Sequence, residues 1–300
     1  MALAFPIPAS YAAVQSPDAA AARLAGDILG ALARKRTFDS ASWSRLLELL
    51  RRDLAQEPLR QLCWNFSEAW PDYRPMHALN ACRLALFLAM AQGRSEPQAE
   101  ALALAALLYD IGMWHPRLTG VHHAGPLTEQ ERDALSRHSA LGQEMLAGVA
   151  GLNPLAARLA REHHERPDGS GYPDSTPRNS HHEASSFIQL VDSFLGQVEP
   201  RPFRKARSPA DAMGRLLLQS QRGHYDAAAL RSLLLGVGLY PLGSVVRLSG
   251  GETALVRGVN PDDLKRPPLL LLTDAAGVPR ERPLSIALAD YPAQSVIDVQ

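Results

Sequence analysis

The sequence has only two cysteines in 300 residues, Cys63 and Cys82, and they form no CxxC pair. Thiols this far apart read as reduced and buried, and no pattern supports a disulfide. An excess of charge of one sign is also missing, because 31 basic side chains balance 31 acidic ones. Without a basic field the chain does not attract a nucleic-acid polymer or an anionic membrane, so binding must rest on local patches. No run approaches the ~20 apolar residues of a membrane span. The first segment, MALAFPIPASYAAVQSPD, lacks a basic n-region and is interrupted by Pro6 and Pro8, so it does not read as a signal peptide. The expected location is cytoplasmic. What is present, 46% apolar and 21% charged residues, describes a globular protein with one main core and room for a second module.

Residues 1–71 read as an irregular leader and a helical module, either separate or an extension of the main core. Ser16 is a candidate cap, Pro17 fits a first turn, and Leu24, Ile28 and Leu32 recur at fours. Leu46, Leu49, Leu50 and Leu54 mark the face of a following helix. Residues 72–236 are a longer helical run. EPQAEALALAALLYDIG is apolar almost all round, as a central helix should be. Thr128 with Glu131 forms a capping-box pattern, Asn153-Pro154 opens a helix, and Ser208 and Asp226 are further caps. Residues 237–300 change texture, with β-rich runs around Gly250-Gly251 predicting a hairpin. The expected fold class is mainly α with a small β-rich C-terminal region.

Chemistry is carried by imidazoles and carboxylates at spaced helical positions: His77, Asp110, His138, His163, His164 and Asp192. Gaps of about one helix plus a loop would let a bundle direct one ligand per helix inward. A lone histidine is more often a capped or exposed residue than a ligand. Asp110 weighs more, because an apolar helix should not bury an unpaired carboxylate. It wants a metal ion or an arginine partner.

The order His77, YDIG, LTEQERDALSRHSALG, HHERPDGSGYP, Asp192 and RPFRKA resembles the HD-GYP family, a subgroup of HD-domain metal-dependent phosphohydrolases. The resemblance covers about residues 72–236, and HHERPDGSGYP is its most specific element. It implies an all-α HD-domain bundle that hydrolyses cyclic di-GMP with two or three iron, manganese or similar ions. His77, Asp110 and Asp192 would hold one metal, and Asp110, as catalytic bridge, would share a second with His138, His163 and His164. Gly171, Tyr172 and Pro173 would line the ligand pocket, with Gly171 allowing a sharp turn. Arg201 and Arg204 match positions resembling phosphate- and guanine-contacting groups. Glu165, Arg166 and Asp168 would tie down the loop, while the His122-His123 and His181-His182 pairs are expected at the surface.

Three positions depart from the family pattern. Tyr109 stands where the name-giving histidine should precede Asp110, and a phenol is a poor ligand for Fe(II) or Mn(II) at neutral pH. Met113 replaces a lysine, and Leu195 replaces a downstream acid. The expectation is a cyclic di-GMP signalling protein with a degenerate site, nearer one Fe or Mn ion per chain than two. It would bind the nucleotide or a signalling protein partner and hydrolyse slowly or not at all; the alternative is an active phosphodiesterase.

Overall fold

The computed structural model describes residues 19–56, 72–118, 128–201 and 205–299. The leader, Ser16, Pro17, Cys63, His122, His123, Pro202 and Arg204 lie outside these residues.

Helices α1 (Ala19–Lys35) and α2 (Ser40–Gln56) lead into α3 (Arg74–Ala91) and α4 (Glu96–Leu108). A 3-10 turn, Ile111–Trp114, follows α4, and then come α5 (Glu129–Ser136), α6 (His138–Leu146), α7 (Pro154–Glu162), α8 (Glu183–Val198), α9 (Pro209–Gln221) and α10 (Ala227–Val237). The starts are fixed as their sequences dictate. The Thr128 and Glu131 side chains each accept a hydrogen bond from the other's backbone N–H, at 3.2 and 2.7 Å. Asn153 accepts from the Leu155 N–H, Ser208 from Asp211 and Asp226 from Ala229.

α3 and α4 are apolar on all sides and form the centre, where Leu79, Leu84, Leu107 and Leu108 are sealed from water. One continuous apolar cluster joins them to Ile28 and Leu32 of α1, Leu46 and Leu50 of α2, and Phe194 and Leu195 of α8. The N-terminal helices therefore share the core of the helices that follow. Among the described residues no helix is long and apolar enough to cross a membrane.

The C-terminal segment folds into one antiparallel sheet with strands β1 (Val245–Leu248), β2 (Thr253–Val256), β3 (Pro268–Thr273), β4 (Pro279–Ala287) and β5 (Val296–Val299), in the order β4-β3-β2-β1-β5. β1 and β2 form the expected hairpin, with Val246 opposite Ala254, and Gly251 takes the left-handed φ of 101° at its tip. Val246, Leu248, Val256 and Leu269 make a second, separate apolar cluster.

Candidate metal centre

The site is built at helix ends. α4 stops at Leu108, so Asp110 does not lie inside an apolar helix as its sequence context suggests; it heads the 3-10 turn. The reason for the break lies two residues on. A Cβ at Gly112 would come 1.9 Å from the His138 carbonyl oxygen and 2.7 Å from the Gly142 nitrogen. Only glycine lets this turn press against the first turn of α6, and that contact brings Asp110 to His138. Asp110 Oδ1 lies 3.2 Å from His138 Nε2 and 3.4 Å from His163 Nε2, and Oδ2 lies 3.6 Å from His77 Nε2. Its described partners are imidazoles, and no arginine pairs with it among the described residues. Burial acts to raise the Asp110 pKa, yet hydrogen bonds to His138 and His163 hold it well below the ordinary carboxylate value.

The two imidazoles beside Asp110 are fixed from behind. His138 Nδ1 donates to the Leu135 carbonyl at 2.6 Å, and His163 Nδ1 donates to the Ala160 carbonyl at 2.8 Å. A carbonyl can only accept, so both Nδ1 atoms carry hydrogen. In neutral rings both Nε2 atoms are then bare lone pairs, and they face each other at 3.1 Å. Two bare lone pairs at that separation repel, so either a ring takes up a proton and donates it to Asp110 Oδ1, 3.2 Å from His138 Nε2, or one metal ion accepts both lone pairs. Backbone-oriented imidazoles with free Nε2 atoms are the usual preparation of a metal site. His164 lies against His163 with ring centroids 4.0 Å apart, and burial, then the His163 charge, push its pKa well below the ordinary value. Ligand atoms of Asp110, His138, His163 and His164 lie within 4.8 Å of one another, and so do those of His77, Asp110 and Asp192. All six candidate ligands are thus brought together, in two sets sharing Asp110. Imidazole nitrogen with carboxylate oxygen suits Fe or Mn.

The His77 set is differently furnished. His77 Nδ1 contacts Glu199 Oε2 at 2.5 Å, and Asn80 Nδ2 donates to Glu199 Oε1 at 3.0 Å. On its other side, His77 Nε2 meets the Tyr109 hydroxyl at 2.7 Å, and that hydroxyl also donates to Asp192 Oδ1 at 3.3 Å. Burial acts to lower the His77 pKa, but the Glu199 charge and hydrogen bonds to Asp192 and Glu199 raise it to about 10. Tyr109 is 1% exposed, and burial followed by the charges of Asp192, Asp110 and Glu199 keeps it a neutral phenol. Glu199 is a site residue that sequence reasoning missed. Its spacing of seven from Asp192, two helical turns, was the available signal. Leu195, read as the replaced acid, is fully buried in the apolar core.

The loop after α7 folds back over the ligands. A Cβ at Gly171 would lie 2.4 Å from the His164 carbonyl oxygen and 2.5 Å from the Arg166 nitrogen. Gly171 is needed for this close approach, and its φ is not among the left-handed ones. The Tyr172 ring lies 4.6 Å from that of His164, and the Tyr172–Pro173 peptide is cis. Buried Glu165 accepts from the N–H groups of Asp174, Ser175 and Thr176 at 2.6, 3.1 and 3.2 Å. Asp168 accepts from Ser170, and Arg166 stacks 4.5 Å over the Tyr225 ring. The expectation of surface histidines at 181 and 182 is corrected. His181 Nε2 bonds the Thr176 hydroxyl at 2.8 Å and its side chain is 9% exposed, while His182 caps α8 by accepting from the Ala184 N–H. Both help hold this loop, and nothing in their sequence context separated them from solvated residues.

Above the ligands opens a cavity of about 440 Å³ lined by Asp110, Met113, His138, His164, Tyr172, Asp192 and Arg201. Arg201 stacks 5.3 Å over Tyr73, and its buried Nε has no hydrogen-bond partner. Arg207, Arg215 and Gln219 line the same cavity and were not singled out from the sequence.

Residues 67–229 match the HD domain family. The chain is 28% identical over 221 residues to the cyclic di-GMP phosphodiesterase PA4108 of Pseudomonas aeruginosa, covering 74% of this chain and 53% of that one. It is 32% identical over 146 residues to the cyclic di-GMP phosphodiesterase response regulator RpfG of Xanthomonas campestris, covering 48% of this chain and 38% of that one. The chain thus spans about half or less of the length of these relatives. The HDG"Y"P protein Bd1817 of Bdellovibrio bacteriovorus shares the fold at a TM-score of 0.56 and 14% identity, over 71% of this chain and 67% of that one.

Proposed function

The chain belongs to the HD domain family, and from that premise we propose that it is a cyclic di-GMP-binding protein of the HD-GYP type. In this reading Asp110, His138, His163 and His164 hold one Fe or Mn ion, and the bound nucleotide is hydrolysed slowly or not at all. The observation that carries it is the convergence of ligand atoms from Asp110, His138, His163 and His164 within 4.8 Å, with the Nε2 atoms of His138 and His163 facing each other where one ion would accept both lone pairs. Such an ion supplies Lewis acidity toward a phosphate oxygen and a water of lowered pKa.

The chain's own residues do the rest. Asp110 bridges the two ligand sets, Tyr172 and Arg201 border the space above them, and Glu165 holds the loop in place. Weak turnover is supported by Tyr109. The phenol gives its one hydrogen to Asp192, so His77 Nε2 donates to the phenol oxygen 2.7 Å away and the lone pair that a second ion needs carries a hydrogen. Met113 adds no cation at the cavity where the family pattern has lysine. The reading carries a cytoplasmic location, as befits a second-messenger ligand. It leaves the N-terminal helices or the sheet as surfaces for a signalling protein partner.

A second reading, an active phosphodiesterase, is favoured by the convergence of His77, Asp110 and Asp192 ligand atoms within 4.8 Å. One anaerobic preparation separates the two. Elemental analysis gives ions per chain, and the same sample is assayed for cyclic di-GMP binding and turnover. Nearer one ion, with binding and little linear product, supports the first reading. Two tightly held ions with rapid turnover establish the second, and no bound metal and no nucleotide binding would sink both.

A further inference from the structure

The cavity has two chemically opposite sides. Its floor is made of metal-ligand candidates, Asp110, His138, His164 and Asp192, while one wall is guanidinium. Arg207, just before the Ser208 cap, and Arg215, in the second turn of α9, reach that wall and share one carboxylate, Asp211, at 3.1 and 3.3 Å. Their side chains are 35% and 50% exposed. Arg201 joins them, its buried Nε without a hydrogen-bond partner. Three cations therefore face the cavity: Arg201 feels the charges of Asp192 and Asp110 on the floor, while Arg207 and Arg215 share Asp211.

The fold gives little reason for this arrangement. Arg207 immediately precedes the Ser208 cap of α9, where the helix dipole disfavours positive charge. Exposed i, i+4 ion pairs such as those of Asp211 contribute little to stability. Yet Arg207 is held in place, because its backbone N–H donates to the Gln197 carbonyl of α8 at 2.9 Å. Asp211, Arg215 and Gln219 recur at fours along one face of α9, and Arg215 and Gln219 both line the cavity. A planar guanidinium fork suits a phosphate, and two forks separated from the floor suit a second phosphate on the same ligand.

We propose that Arg207 and Arg215 form a subsite for the second phosphodiester of a cyclic dinucleotide whose first phosphodiester lies over the metal-ligand floor. This rests on the cyclic di-GMP reading above and deepens it. A ligand with one phosphate has no use for the wall, whereas a ligand with two is selected by it.

The test uses the full chain loaded with Mn(II) and calorimetric titration with cyclic di-GMP and with GMP, which carries a single phosphate. The variants are Arg207→Ala, Arg215→Ala and their double. The double variant is expected to weaken cyclic di-GMP roughly 10- to 100-fold, as for lost hydrogen bonds to a charged group. GMP affinity, metal content and melting temperature should stay as in wild type. Arg215→Lys keeps the charge without the fork and should recover part of the loss. Equal weakening of both ligands would mean a general field, and unchanged affinity for cyclic di-GMP would mean no contact; either result overturns the subsite alone. Failure of the wild type to bind cyclic di-GMP would instead overturn the reading on which the subsite rests.

Discussion

Tyr109 decides more at this site than its size suggests, because its hydroxyl ties His77 to Asp192 across the space a second ion would use. Replacing it with imidazole and restoring a cation beside it should reopen that space. We expect Tyr109→His with Met113→Lys to raise bound metal from about one ion per chain toward two, and cyclic di-GMP turnover by roughly 10- to 100-fold, the scale of an altered metal environment. Elemental analysis and a product assay on the same sample check this. A folded double variant with two ions and no gain in turnover would move the defect elsewhere. At this scale the six candidate ligands could be chosen from sequence, because HHERPDGSGYP is specific and the other four recur at helix-plus-loop spacing. Arg207 and Arg215 could not, since each looks like a solvated charge until the fold shows what it faces, and Glu199 had only its spacing of seven from Asp192 to mark it.

Among the elements, the turn after α4 is the least tolerant. Gly112→Ala places a methyl group 1.9 Å from the His138 carbonyl oxygen, so either the turn or α6 must move. The expected cost is about 1–3 kcal/mol in chemical denaturation, together with loss of metal binding as Asp110 leaves His138. A variant with wild-type metal content would show that the contact is not what positions Asp110. The central helix α3 supplies a different check. Burial pushes the Cys82 thiol from 9.0 up to about 12. The unfolded thiol ionises first, so the stability linked to this group is intact below pH 9 and lost as pH rises toward 12. In a Cys63→Ser variant, Cys82 should take up no iodoacetamide at pH 8 until the protein is unfolded. Labelling of the native chain, read by mass spectrometry, would contradict its burial. Helix starts were legible from Thr128, Asn153, Ser208 and Asp226, because capping is local chemistry. The end of α4 was not, because a contact with α6, distant in sequence, breaks it.

For the whole molecule, the two apolar clusters share no buried residue. Leu269→Ala should therefore cost the sheet about 2–5 kcal/mol, as for other buried leucines, and leave ions per chain unchanged. Melting followed at a strand-sensitive wavelength, beside elemental analysis, reads both. Loss of metal on this substitution would mean that the sheet supports the site. The change from helical to β texture near residue 240 was visible in the sequence, but the strand order β4-β3-β2-β1-β5 was not. Pairing β5 with β1 joins residues about fifty apart, and no local pattern carries that information.

The shortness of α7 sets a rule for how this chain can change in length. Nine residues separate its Asn153 cap from His163, and both adjacent histidines join the same ligand set because the helix ends there. One inserted residue inside α7 turns everything beyond it by about 100°, and the two rings cannot both return by rotating their side chains. The turn before the cap is free of that constraint, since Gly148 and Gly151 have left-handed φ values and open space around them. An alanine inserted after Ala157 should abolish metal uptake, while one inserted after Gly151 should leave ions per chain intact. Lineages that lengthened this stretch would then have done so ahead of Asn153, leaving the count from Asn153 to His164 fixed.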